Sequence, residues 1–165
     1  MNSDLQATID RQRELLKGWL SAPLERLADD CRRVWPDRLA LEKRLLAGLS
    51  ELPYCKYLYL LDDEAQQITA NASRAGLLEV HFGRDRGERP YLAGAIAGAA
   101  FSLSEAYISR NARRPSLTAV QVTRGDDGAL LGYLGADTGC LCLARDELSS
   151  ALCCSARSPA GPDTL

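Results

Sequence analysis

Leu117-Thr-Ala-Val-Gln-Val-Thr-Arg124 and Ala129-Leu-Leu-Gly-Tyr-Leu-Gly-Ala-Asp137 are separated by Gly125-Asp-Asp-Gly128. Two runs of aliphatic and β-branched residues joined by a Gly/Asp turn spell an antiparallel hairpin. Period-2 alternation puts Leu131, Tyr133, Gly135 and Asp137 on one face of the second strand, so a phenol and a carboxylate point the same way.

Upstream of the hairpin, residues 102–109 read as a further strand, with Tyr107 and Ser109 on a common face. Tyr91 to Ala100 reads as a small-residue helix with Pro90 in its first turn, and Gly94 and Gly98 lie four apart, which lets another backbone approach closely. Residues 71–90 read as loop, with a helical turn near 73–78, and include the charged run Arg84-Asp-Arg-Gly-Glu-Arg89. Before that loop come a strand over Tyr57–Leu61, a turn at Asp62-Asp-Glu-Ala65, and a short strand over Gln67–Ala70.

Residues 3 to about 35 read as helix, with Ser3 as its N-cap. Leu5, Ile9, Leu16, Trp19 or Leu20, Leu24, Leu27, Cys31 and Val34 recur at three- and four-residue steps between charged residues. Pro23 either kinks this helix or opens a second one capped by Ser21. The stripe suits a core face or a dimer seam. Asp37 caps a second helix that runs to about Ser50, and Leu52-Pro53 ends it. A closing helix is expected over Arg145–Cys154. The expected organisation is therefore a helical lead-in over 1–50, a folded domain over 51–154 and a disordered tail over 155–165. The fold class is α+β, a five-stranded antiparallel sheet with helices gathered on one side.

The chain has 165 residues and a formal net charge of −2, which gives no electrostatic footprint for nucleic acid. No apolar run approaches the roughly 20 residues a membrane span needs. The N-terminus lacks the charged and apolar regions of a signal peptide. Six cysteines without a bridging pattern suit a reducing compartment, so a cytoplasmic location is expected.

Enzyme signatures are weak, and no enzyme activity is expected. His81 is the single histidine and has no matching nucleophile motif. There is no phosphate loop and no dinucleotide fingerprint, so no cofactor is expected. Cys140, Cys142, Cys153 and Cys154 offer a thiolate metal or redox site as a rival reading, although paired C-x-x-C knuckles are missing.

The residues that suit a small-molecule pocket are Arg89, Tyr91, Tyr107, Ser109, Ser116, Thr118, Tyr133 and Asp137. Arg89 at a helix start would hold a carboxylate by charge-assisted hydrogen bonds. Asp137 would take an ammonium group. The three tyrosines would form walls with hydroxyl tips, and Ser116 and Thr118 would add hydroxyls at the rim. The expected ligand is an amino acid or small organic acid. Other readings stay open: Arg89 and Asp137 pairing with each other, Tyr107 and Tyr133 as plain core, and Arg84, Arg86, Arg113 and Arg114 as a solvated surface.

Arg89-Pro90-Tyr91, the alanine-rich helix, Ser104-Glu-Ala-Tyr107, the hairpin and Leu131-Gly-Tyr-Leu-Gly-Ala-Asp137 together resemble the Cache (PDC) superfamily of sensor domains over about residues 50–140. The resemblance implies a PAS-like fold with a long N-terminal helix. It further implies an arginine-aromatic pair opening the helix over the pocket, and a final-strand Gly-x-Asp that touches the ligand. Such domains usually lie outside the membrane between transmembrane helices. This chain shows neither such helices nor an output segment, so the resemblance leads to a ligand sensor acting through a homodimer formed by the N-terminal helix, or through a separate output protein. The rival of a different class is an interaction module without a working pocket.

Overall fold

The computed structural model describes residues 2–52, 55–89, 92–104, 107–108 and 115–138. Two helices come first, α1 (Asn2–Val34) and α2 (Arg38–Gly48), then β1 (Tyr57–Asp62), β2 (Asn71–Ser73) and β3 (Gly76–Leu78). A short helix α3 (Ala93–Ile96) precedes β4 (Phe101–Leu103), β5 (Tyr107–Ile108), β6 (Pro115–Ser116), β7 (Thr118–Arg124) and β8 (Leu130–Asp137). The main sheet is antiparallel and six-stranded, in the order β3-β2-β1-β8-β7-β4, while β5 and β6 form a separate pair.

α1 runs unbroken through Pro23. An interior proline costs about 3 kcal/mol. Leu20, Leu24, Leu27, Ala28 and Cys31 are all buried in one core, and each fully buried leucine contributes about 1.5–3 kcal/mol. Burial therefore outweighs the proline, and the apolar stripe is used against the chain's own sheet. α2 starts where expected, with Asp37 accepting a hydrogen bond from the Ala40 N–H at 3.4 Å.

The sheet separates two cores. Leu58, Leu60, Ala119, Leu134 and Ala136 face α1 and α2. Tyr59, Leu61, Val120, Val122 and Tyr133 face the other way, under Ala65, Leu92 and Ala95. Alternation along β1 and β8 sends neighbouring residues into different cores. Arg32, near the end of α1, forms an ion pair with Asp126 in the β7–β8 turn.

The strand count departs from the expected five for three local reasons. The segment expected as the second strand, Gln67–Ala70, forms no strand and makes one isolated bridge, Gln67 with Leu61. Pairing begins instead at Asn71, in a stretch read as loop. A tight turn makes the β2–β3 hairpin possible: Ser73 Oγ donates to the Gly76 carbonyl at 2.7 Å and accepts from the Ala75 N–H at 3.2 Å.

The expected strand over 102–109 splits into β4 and β5. Just past β4, the Thr118 N–H goes to the Ser104 hydroxyl at 2.9 Å rather than to a backbone carbonyl, which interrupts the ladder. The ten-residue helix expected over 91–100 has only four residues, and Gly98 ends the segment at φ 110°. Gly94 does allow close approach, because a Cβ there would lie 3.0 Å from that of Ser102. The closing helix, the tail and Cys140, Cys142, Cys153 and Cys154 lie outside the described residues.

Candidate functional site

Register across β1, β8 and β7 fixes three rows on the face away from the long helices. They are Tyr57–Asp137–Thr118, Tyr59–Gly135–Val120 and Leu61–Tyr133–Val122. The first row is polar and the last is apolar. Gly135, in the middle, carries no side chain, and the ring of Tyr59 lies over it. A Cβ at Gly135 would come 2.3 Å from Tyr59 Cε2 and 2.8 Å from its hydroxyl oxygen. Leaning across the glycine brings that hydroxyl to Asp137, where it donates to Oδ1 at 3.4 Å. Thr118 Oγ1 donates to the same oxygen at 2.6 Å.

Arg86 closes over the other side of the tyrosine. Its guanidinium carbon lies 4.2 Å from the Tyr59 ring centroid, a cation–π stack, and the residue is only 5% exposed. Its Nε donates to Gln67 Oε1 at 2.8 Å, and Gln67 Nε2 donates to Asn71 Oδ1 at 2.7 Å and to the Thr69 carbonyl at 2.8 Å. The Arg86 N–H is fixed to the Ala65 carbonyl at 2.9 Å. A buried polar string thus runs from Asn71 to Arg86, which stacks on the tyrosine that touches Asp137.

These neighbours act on the carboxyl in opposite directions. Burial pushes the Asp137 pKa above the ordinary carboxylate value. The Thr118 hydrogen bond, the Arg86 charge, the Tyr59 hydroxyl and the Arg89 charge, in that order, pull it back without overcoming burial. The Tyr57 phenol in the same row is also pushed up, by burial first and then by the Asp137 charge.

Of the residues singled out in the sequence, the structure brings together Asp137, Thr118 and Arg89. Arg89 is half-buried and reaches Asp137 through its field; among the described residues no ion pair joins the two. α3 is a single turn starting at Ala93, and the two residues that follow Arg89 lie outside the described residues. Tyr133 is buried in the apolar row, two rows from Asp137. Tyr107 and Ser116 are register partners in the small β5–β6 pair. Tyr91 and Ser109 lie outside the described residues.

Sequence reasoning missed Tyr59, Arg86 and Gln67. Tyr59 had a signal: a glycine inside a strand, flanked by inward-facing Tyr133 and Asp137, marks a close approach. Arg86 had none, and its assignment to a solvated surface is corrected by its burial. Nothing in the local sequence separates it from Arg84.

The arrangement presents a carboxylate between two hydroxyls, two guanidinium groups nearby, and an apolar layer of Leu61, Val122, Leu92 and Ala95. Among the described residues, no group of three or more histidine, cysteine or acidic side chains is placed to hold a metal ion.

No family model and no curated protein matches the sequence. Solved structures do match its fold. One is an extracellular ligand-binding receptor from Desulfohalobium retbaense, with a TM-score of 0.65 and 13% identity over 81% of this chain and 24% of that one. Another is the sensory domain of the Campylobacter jejuni chemoreceptor Tlp3 with isoleucine bound, with a TM-score of 0.61 and 14% identity over 82% of this chain and 55% of that one. A third is the ligand-binding domain of the Pseudomonas fluorescens chemoreceptor CtaA with L-serine, with a TM-score of 0.57 and 21% identity over 82% of this chain and 56% of that one. The chain thus spans about half, or less, of the length of each.

These matches overturn the expected cytoplasmic location, because the proteins that share the fold include a receptor described as extracellular. The cysteine argument for a reducing compartment also loses its force. Cys31 and Cys55 are free but buried, and burial pushes both thiols up, that of Cys31 to about 12, which keeps them protonated and inert in any compartment. No helix among the described residues is long and apolar enough to cross a membrane. The chain has the fold of chemoreceptor sensory domains, which is the fold implied by its resemblance to the Cache superfamily.

Proposed function

We propose that this chain is the ligand-sensing domain of a signalling protein and that it binds an amino acid or a closely related small carboxylate. The observation that carries this reading is the half-buried Asp137, held by Thr118 and Tyr59 with Arg86 and Arg89 around it. In this reading Asp137 takes the ammonium group and Arg89 the carboxylate. Tyr59 and Arg86 form the floor on which the ligand rests. Tyr91, Tyr107, Ser109, Ser116 and Tyr133 complete the walls, with Tyr133 at the apolar end. The ligands bound by the fold's chemoreceptor relatives, isoleucine and L-serine among them, support this class.

The mechanism is closure of α3 and the residues just before it over the sheet, with Arg86 staying in place as floor and the ligand stabilising one of two arrangements. Residues 1–50 serve as the helical lead-in, 51–154 as the sensor and 155–165 as a tail. The output passes through a homodimer involving α1 or through a separate partner protein. Because the buried stripe of α1 serves the chain's own core, a dimer would use another face, the one carrying Trp19, which is 44% exposed.

A thermal-shift screen against amino acids, organic acids and amines tests the reading. A ligand at 100 times its dissociation constant adds about 2.7 kcal/mol of stability. The expected result is a hit that disappears in Arg89→Ala and Asp137→Ala. A panel without hits, together with a native mass free of any co-purified molecule, would sink it.

A further inference from the structure

A string of hydrogen bonds leads out of the site to the far side of the sheet. Thr118, which holds Asp137 through its hydroxyl, is bound reciprocally to Ser104. The Thr118 N–H donates to Ser104 Oγ at 2.9 Å, and the Ser104 N–H donates back to the Thr118 carbonyl at 2.9 Å. The Ser104 carbonyl then accepts from Arg13 Nη1, and Arg13 Nη2 donates to the Leu103 carbonyl at 2.9 Å. Arg13 belongs to α1, on the opposite face of the sheet from Asp137.

We infer that Ser104 and Arg13 are positioning residues that couple Asp137 to the first turns of α1, so that engagement of the carboxylate is felt by that helix. Its consequence for signalling rests on the proposed ligand reading; the coupling itself does not. A guanidinium fork fixes two successive carbonyls in direction as well as distance, which a single point charge does not. Thr118 has one hydroxyl proton, and it goes to Asp137 at 2.6 Å, a short distance that tolerates little slack. A carboxylate drawn toward an ammonium group therefore pulls on Thr118, on its reciprocal partner Ser104, and on the carbonyls in the Arg13 fork. A second side-chain tie, Arg32 to Asp126, is near the opposite end of α1 and joins an exposed turn. These two ties thus join α1 to different parts of the sheet, and the one at Arg13 leads to the site.

Two measurements test this. The first needs no ligand: denaturant midpoints are measured for Arg13→Ala, Asp137→Ala and the double variant, in the natural and the Ser104→Ala backgrounds. Residues that share no contact normally add. The expected result is a double variant that loses less than the summed single losses, with additivity restored once Ser104 is alanine. Additive losses in the natural background would overturn the proposal. If Arg13→Ala does not fold, Arg13→Lys keeps the charge and removes the fork, and the same comparison applies.

The second measurement follows amide hydrogen exchange along α1 with L-isoleucine and L-serine as probes. The expected result is a change in protection around Arg13 that vanishes in Ser104→Ala while the probe still binds. An unchanged response in that variant would overturn the relay. Failure of both probes to bind the natural chain would count against the amino-acid pocket instead, and the mutant cycle would still decide the coupling.

Discussion

The ring of Tyr59 occupies the space that any side chain at Gly135 would need. The floor of the site therefore depends on the absence of one methyl group. Gly135→Ala should push the ring off β8, with an overpacking cost of about 1–3 kcal/mol. It should also take away the platform under Arg86 and the second hydroxyl on Asp137. Urea unfolding would show the stability loss, and ligand titration would show weakened binding. Tyr59→Phe keeps the packing and removes the long 3.4 Å hydrogen bond to Asp137, so it should cost less stability than Gly135→Ala.

Arg86 and Arg89 differ by three positions and should behave in opposite ways. Arg86 is buried and hydrogen-bonded to Gln67, so Arg86→Ala strands the Gln67 carbonyl oxygen at a cost of about 1–3 kcal/mol. Lysine should not rescue it, because it offers neither the flat stack nor the Nε donor. Arg89→Ala should leave the unfolding midpoint nearly unchanged while weakening ligand binding by about 10-fold or more, the worth of a charge-assisted hydrogen bond. Equal stability losses for the two variants would contradict the roles assigned to them.

Asp137 gives a pH signature. Its folded pKa is raised above the ordinary value of 3.8, chiefly by burial, so the group favours folding at acid pH. That contribution is lost as pH rises through the raised value. Asp137→Asn should flatten this part of the stability profile and lie above the natural chain on its alkaline side. An ammonium ligand prefers the ionised carboxylate, so its affinity should climb with pH across the same window. Calorimetric titration at several pH values checks both the direction and its disappearance in the asparagine variant.

Glu42 ties α2 to the sheet and is only 3% exposed. Its Oε2 accepts from Arg38 Nε at 3.0 Å and from the Ala70 N–H at 2.8 Å. Glu42→Ala leaves that buried N–H without its acceptor and should cost about 1–3 kcal/mol. Glu42→Gln keeps an acceptor and should cost less, which denaturant midpoints would show.

Cys31 and Cys55 are buried thiols held in the protonated form. Both should resist iodoacetamide in the native protein and react fully in denaturant, as mass spectrometry of trapped peptides would reveal.

The sequence made some of this legible and hid the rest for identifiable reasons. The β7–β8 hairpin, the face shared by Tyr133, Gly135 and Asp137, both long helices and the Asp37 cap follow from periodicity and turn chemistry. β2 was hidden because Asn71-Ala-Ser73 has the composition of a turn, yet it is buried and paired between β1 and β3. α3 was overestimated because alanine and glycine satisfy a helical pattern without committing to it. Asp137 and Thr118 could be found because both lie on strands, where alternation gives direction. Arg86 could not, because a loop residue has no periodicity, and its place is set by a backbone bond to Ala65 and a stack on Tyr59.

The alternation that sends Leu58 and Leu60 one way and Tyr59 and Leu61 the other has a consequence for how such a domain diversifies. One strand serves as a party wall, and the rooms on its two sides can be refurnished independently. Exchanging Leu61, Val120 or Val122 would alter the layer beneath the candidate site, while the surface that seats α1 and α2 stays as it was. Sequences could thus drift far apart while keeping the same scaffold, as the matches at 13–21% identity over four-fifths of this chain do.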